Sequence, residues 1–191
     1  MNRTISAAAL FAGAVVFGSA HVHAEKADKT QMVELAADVF GEFEDKGGGR
    51  RTATLEGNVV ITQGTIRVGA DQAVISQENG GYRLGEATGK PVTFRQKRDD
   101  GKGYNEGVAD RVEFDEKKNE IHFISNVRFK LGDGVELAGE YITYNSETEA
   151  YSAANALPGK GKAKNGQQVV AKLPPPRQAE PTPPAAKKND K

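Results

Sequence analysis

Beyond about residue 30 the apolar positions recur with a period of two. Ile66 and Val68 flank Arg67, Val112 and Phe114 flank Glu113, and Ile121 and Phe123 flank His122. Val127, Phe129 and Leu131 enclose Arg128 and Lys130, Val59 and Ile61 alternate with Val60 and Thr62, and Val33 and Leu35 alternate with Met32, Glu34 and Ala36. Successive side chains of a strand point to opposite faces, so alternation in Val, Ile, Thr and Phe predicts half-buried antiparallel strands. No segment after the first two dozen residues carries a helical stripe. Asn79-Gly80-Gly81 and Gly132-Asp133-Gly134 supply turns, and Pro91 is expected where a strand begins. The inner faces would be aliphatic and aromatic. The outer faces would carry Arg67, Gln72, Arg83, Arg95, Arg111, Glu113, His122, Arg128 and Lys130.

A phrase recurs within this pattern. Ala37-Asp38-Val39-Phe40, Ala70-Asp71-Gln72-Ala73-Val74-Ile75 and Ala109-Asp110-Arg111-Val112-Glu113-Phe114 each place Ala-Asp before a strand-like run, and Gly139-Glu140-Tyr141-Ile142-Thr143-Tyr144 is a degenerate fourth copy. A polar turn follows each. Three copies then lead to a second phrase, Gly57-Asn58-Val59-Val60, Gly89-Lys90-Pro91-Val92 and Ser125-Asn126-Val127-Arg128. A period of about 32 to 39 residues marks stacked supersecondary units that share one core. The expectation is one elongated, all-β chain of many short strands. Its interior is either filled, as in an ordinary sandwich, or left open along one side as a hydrophobic groove for an amphipathic ligand.

The ends read differently. Arg3, the apolar run Ile5 to Phe17 and the small-x-small site Val22-His23-Ala24 form a secretory signal, so residues 1–24 are expected to be cleaved, leaving an exported domain over 25–173. The run is shorter than the roughly 20 apolar residues of a membrane-spanning helix; an uncleaved anchor is the alternative. Residues 174–191, opening on Pro174-Pro175-Pro176 and rich in Pro, Ala and Lys, read as a disordered basic tail. The 26 basic and 26 acidic residues balance, so no global field attracts nucleic acid.

Catalytic chemistry is poorly supplied. The chain has no cysteine, which removes thiol nucleophiles, Cys-zinc sites and disulfides. Of three histidines, His21 and His23 leave with the signal, and His122 alone builds no histidine-based metal cluster. Gly47-Gly48-Gly49 precedes Arg50-Arg51 rather than Gly-Lys-Ser/Thr and reads as a flexible hairpin tip, not a phosphate loop. Asp38, Asp71 and Asp110 could be imagined as paired carboxylates, but their equivalent repeat positions suggest a structural role in bonding backbone amides. No enzyme, cofactor or metal is expected.

The segment from Leu55 to Asp71, Leu-Glu-Gly-Asn-Val-Val-Ile-Thr-Gln-Gly-Thr-Ile-Arg-Val-Gly-Ala-Asp, closely resembles the signature of the OstA-like family of periplasmic lipopolysaccharide-transport bridge proteins. Gly89-Lys90-Pro91-Val92-Thr93-Phe94, Gly107-Val108-Ala109-Asp110 with Val112 and Phe114, and Gly139-Glu140-Tyr141-Ile142-Thr143-Tyr144 are similar to further family segments, in order over about residues 30 to 151. The resemblance implies an open, twisted β-jellyroll that shields the acyl chains of lipopolysaccharide (lipid A) in a hydrophobic groove. The implied partners are an inner-membrane transport complex with a related periplasmic domain, the N-terminal domain of an outer-membrane translocon, and further copies of the chain, head to tail. Matched to the family, the lipid-facing positions would be Val33, Leu35, Phe94 and Phe114, the last standing where the family often has tyrosine. Alternation adds Ile61, Ile66, Val68, Phe123, Val127, Phe129, Leu137 and Ile142 as inner-face candidates. The edge strands would be Met32–Phe40 and Gln167–Leu173. A filled-core periplasmic assembly module without a lipid ligand is the alternative.

Overall fold

The structure, a computed structural model, describes residues 28, 30–41, 44–45, 49–78, 83–101, 103–157 and 168–175. The expected signal, the Gly47-Gly48 tip, the Asn79-Gly80-Gly81 turn and most of the tail lie outside them. The described residues form eleven strands in one antiparallel sheet. They are β1 (Val33–Ala36), β2 (Val39–Phe40), β3 (Glu44–Asp45), β4 (Arg51–Gln63), β5 (Ile66–Gln77), β6 (Arg83–Lys97), β7 (Tyr104–Asp115), β8 (Glu120–Lys130), β9 (Glu136–Asn145), β10 (Tyr151–Ala154) and β11 (Val170–Lys172). The order across the sheet is β1-β4-β5-β6-β7-β8-β9-β10; β2 and β3 also pair with β4, and β11 with β9.

The central strands β4 to β9 run 10 to 15 residues, longer than the expected short strands. The difference has a local cause. Pairing slips once near the middle of each ladder: between Glu56 and Val59, Gly69 and Gln72, Thr88 and Val92, Val108 and Arg111, and Ile124 and Val127. Such irregularities bend a strand and increase its local twist. Aligned across six strands, they fold the single sheet over on itself, so each strand serves both layers. One layer holds β1, β11 and the halves 59–63, 66–69, 92–97, 104–108, 127–130 and 136–139. The other holds β2, β3, β10 and the halves 51–56, 72–77, 83–88, 111–115, 120–124 and 141–145.

Both recurring phrases lie at this fold line. Gly57 and Asn58 take φ of 73° and 45°, and Ser125 and Asn126 take 64° and 54°, a left-handed region that favours Gly and Asn. Each Ala-Asp sits at the matching bend of the neighbouring strand. Asn58 Nδ2 donates to Asp38 Oδ2 at 2.7 Å, the Lys90 amide to Asp71 Oδ2 at 3.2 Å, and Asn126 Nδ2 to Asp110 Oδ2 at 2.6 Å. The fourth copy, Gly139-Glu140, bends β9 against Asn155, whose Oδ1 would lie 3.3 Å from a Cβ at Gly139. The four phrases thus correspond to four stacked hairpins: β1/β2 with β4, β5 with β6, β7 with β8, and β9 with β10. Pro91 does not open a strand as expected; it lies inside β6 at the slip between Thr88 and Val92, where its missing N–H costs no ladder bond.

Candidate functional site

Cross-strand register sorts the inner faces into rows. On one layer Leu35, Ile61, Val68, Phe94, Gly107, Phe129 and Leu137 stand in line, with Val33 and Gln63 paired toward the open margin. Facing them on the other layer is the row Ala53, Ile75, Gly85, Phe114, Ile121 and Tyr144. What fills the gap changes along the stack.

Toward β9 the gap is closed. Phe94 from one layer meets Phe123 and Tyr144 from the other at centroid distances of 5.4 and 5.9 Å, and Phe129 lies 5.1 Å from Phe123 and 5.2 Å from Tyr144. Offset and edge-on ring pairs at these distances add to their burial energy. Gly107 makes the packing possible, since a Cβ there would lie 2.8 Å from atoms of both Phe123 and Phe129. The buried Tyr144 hydroxyl accepts from Asn105 Nδ2 at 2.9 Å and donates to Gln96 Oε1 at 3.1 Å, which satisfies its polar end. At the margin Arg98, in the β6–β7 connection, pairs at 3.2 Å with Glu149 in the β9–β10 connection and so ties one layer to the other. The hydrogen bonds that Arg98 donates to the Asp100 carboxylate, opposed by burial and reinforced by the Glu149 charge, hold the Arg98 guanidinium above its ordinary pKa.

Toward β4 the gap is open. Val33, Ile61, Ile66 and Val68 on one side and Ile75, Gly85, Phe114 and Ile121 on the other line a recess of about 100 Å³, with Val112 at its floor and Gln63, Arg83 and Glu86 at its rim. Pockets for whole small molecules span roughly 300–1,000 Å³, so the recess has room for a stretch of acyl chain rather than a whole lipid. Gly85 creates much of this space: a Cβ there would meet nothing nearer than Phe114 Cβ at 3.8 Å.

The structure therefore divides the twelve inner-face candidates. Val33, Ile61, Ile66, Val68 and Phe114 come together on the recess, and half-buried Leu35 stands beside Ile61 in the same row. Phe94, Phe123, Val127, Phe129, Leu137 and Ile142 are buried in the closed end. Ile75, Gly85, Val112 and Ile121 were not among the candidates. Aligning the repeats would have found Ile75, since it follows Asp71 by the interval at which Phe114 follows Asp110. Arg83, expected on the outer surface, instead borders the recess and pairs with Glu116, Nη2 to Oε1 at 2.6 Å. The three repeat aspartates brace bends on the far side from the recess. Among the described residues no three His, Asp or Glu side chains cluster closely enough to hold a metal ion.

Residues 41–150 match the family model described as LptA/(LptD N-terminal domain) LPS transport protein. The chain is 30% identical over 165 residues to the lipopolysaccharide export system protein LptA of Haemophilus influenzae, covering 85% of this chain and 90% of that one. It is 25% identical over 166 residues to the lipopolysaccharide export system protein LptH of Pseudomonas aeruginosa, covering 86% and 87%. Against LptA of Escherichia coli K12 the identity is 36% over 93 residues, about half of each chain at 48% and 49%. The fold matches the crystal structure of Pseudomonas aeruginosa LptH with a TM-score of 0.68 at 22% identity, covering 78% of this chain and 99% of that one.

Proposed function

The chain belongs to the LptA/(LptD N-terminal domain) family of lipopolysaccharide transport proteins, and from that premise we propose that it is a periplasmic bridge protein that carries lipopolysaccharide between the inner and outer membranes, sheltering lipid A acyl chains in the interlayer recess. The observation that carries this reading is the one-sided apolar recess on an otherwise closed double layer. A filled-core assembly module would place a side chain where Gly85 leaves space.

Transfer sets the energetics. Burying a methylene contributes about 0.8 kcal/mol, so several fully enclosed chains would be held too tightly to pass on. Partial shelter in an open recess keeps each hand-over between similar units close to isoenergetic. Direction then comes from the inner-membrane transport complex with its related periplasmic domain, and the cargo is delivered to the N-terminal domain of the outer-membrane translocon. Exposed strands at the two ends of the sheet, β1 with exposed Met32 beside it, and β10 and β11 with exposed Tyr151, Val170 and Leu173 at that end, suit head-to-tail addition of further strands.

Site-specific photo-crosslinking in exported protein tests the reading. A crosslinker at Phe114 is expected to capture lipopolysaccharide, and one at Lys117, exposed in the β7–β8 turn, is not. Capture of protein alone at both positions would return the chain to the filled-core module.

A further inference from the structure

The margin of the recess is chemically asymmetric. On the β1 side it is neutral, formed by Val33, Gln63 and Ile66. On the opposite layer the last inner-facing row before the hairpin tips runs Arg51, Gln77, Arg83, and the Glu116 amide bonds the Arg83 carbonyl at 3.2 Å to extend it. This row lies directly outside the apolar row Ala53, Ile75, Gly85 and Phe114. We propose that Arg51 and Arg83 form an anion site on this lip that takes a phosphate of the amphiphile whose acyl chains occupy the recess. The proposal rests on the transport reading and adds the polar half of the ligand to it.

Three observations carry it. Arg83 is held in place: Nε and Nη2 donate to the two Glu116 oxygens at 3.1 and 2.6 Å, and its own amide donates to Oε2 at 2.8 Å. That uses two of the five guanidinium N–H donors and leaves the rest of the fork uncommitted among the described residues. Arg51 heads the same inner row, opposite Asp45 of β3, and its neighbour Arg50 pairs with Glu78. Arg51 and Arg83 are separated by one strand, about 10 Å between backbones, so two long side chains can converge on one anion. Finally, Arg51 and Arg83 stand in one register row just outside the apolar lining, at the water boundary where a headgroup must lie. Guanidinium groups bind phosphate through paired, charge-assisted hydrogen bonds, and half-buried ones are less screened by salt than fully exposed ones.

Titration calorimetry of the mature chain tests this with three probes: bisphosphorylated lipid A, the same lipid after dephosphorylation, and inorganic phosphate. The phosphorylated lipid is expected to bind about tenfold more tightly than the dephosphorylated one, the worth of one charge-assisted contact. Arg51→Gln should abolish most of that preference without weakening the dephosphorylated lipid. Arg83→Gln leaves Glu116 unpaired, so the paired variant Arg83→Gln/Glu116→Gln, which removes both charges, is the informative one and should act as Arg51→Gln does. Equal affinity for the two lipids in the unmodified chain overturns the anion site and leaves the recess standing. Binding of neither lipid overturns the transport reading and the site with it. Inorganic phosphate binding as tightly as the lipid would mark a soluble-anion site and overturn the proposal.

Discussion

At the scale of single residues, space and order are decided by glycines and by short polar contacts. Gly85 and Gly107 occupy inner rows of opposite layers, and one leaves a hollow while the other admits two rings. Gly85→Leu is therefore expected to fill the recess and abolish crosslinking of lipid at Phe114, while thermal unfolding shifts little. Phe123→Ala, in the closed end, should instead cost about 3–5 kcal/mol of stability measured by denaturant unfolding. If Gly85→Leu left lipid capture intact, the recess would not be the site. The aspartates make a different prediction. Asp110→Ala removes the acceptor for Asn126 at an exposed bend and should cost about 1 kcal/mol, whereas Asp110→Asn keeps an acceptor oxygen and should cost less. An equal and total loss of function in both variants would point to chemistry rather than bracing.

At the scale of elements, the unit is a hairpin whose two strands bend together. The repeated phrases were visible in the sequence, and so was the alternation that places Ile66, Val68 and Phe114 on inner faces. Strand length was not, because Gly57-Asn58 and Gly89-Lys90-Pro91 read locally as the breaks between strands. In the structure the ladder on either side of each break continues with the same neighbour, so the same residues bend a strand instead of ending it. The division between recess and closed end was also hidden. Alternation assigns Phe94 and Phe114 alike to the interior; only the layer opposite decides that one meets Phe123 and Tyr144 and the other meets open space. The edges carry their own prediction. β11 is short and exposed throughout, followed by Pro174 and Pro175, which donate no strand hydrogen bonds. Deleting residues 167–191 should reduce concentration-dependent self-association in light scattering; unchanged association would remove β11 from the head-to-tail contact.

At the scale of the whole molecule, the protein is a doubled-over sheet with one sealed and one open end. The sealed end combines the ring cluster, the Asn105–Tyr144–Gln96 chain and the Arg98–Glu149 tie, all linking strands distant in sequence. Amide hydrogen exchange should accordingly be slowest in the inner positions of β7 to β9 and fastest in β1, β2 and β11. Uniform protection along the stack would contradict this gradient. The fold line has a further consequence for size. Because every long strand crosses it once, each copy of the Ala-Asp phrase contributes one hairpin to both layers simultaneously. Adding a copy would lengthen the trough by two strand spacings, about 10 Å, without altering its width or depth. The number of phrases is thus a ruler written in the chain, and a designed variant with a duplicated central hairpin would have a longer trough of unchanged cross-section.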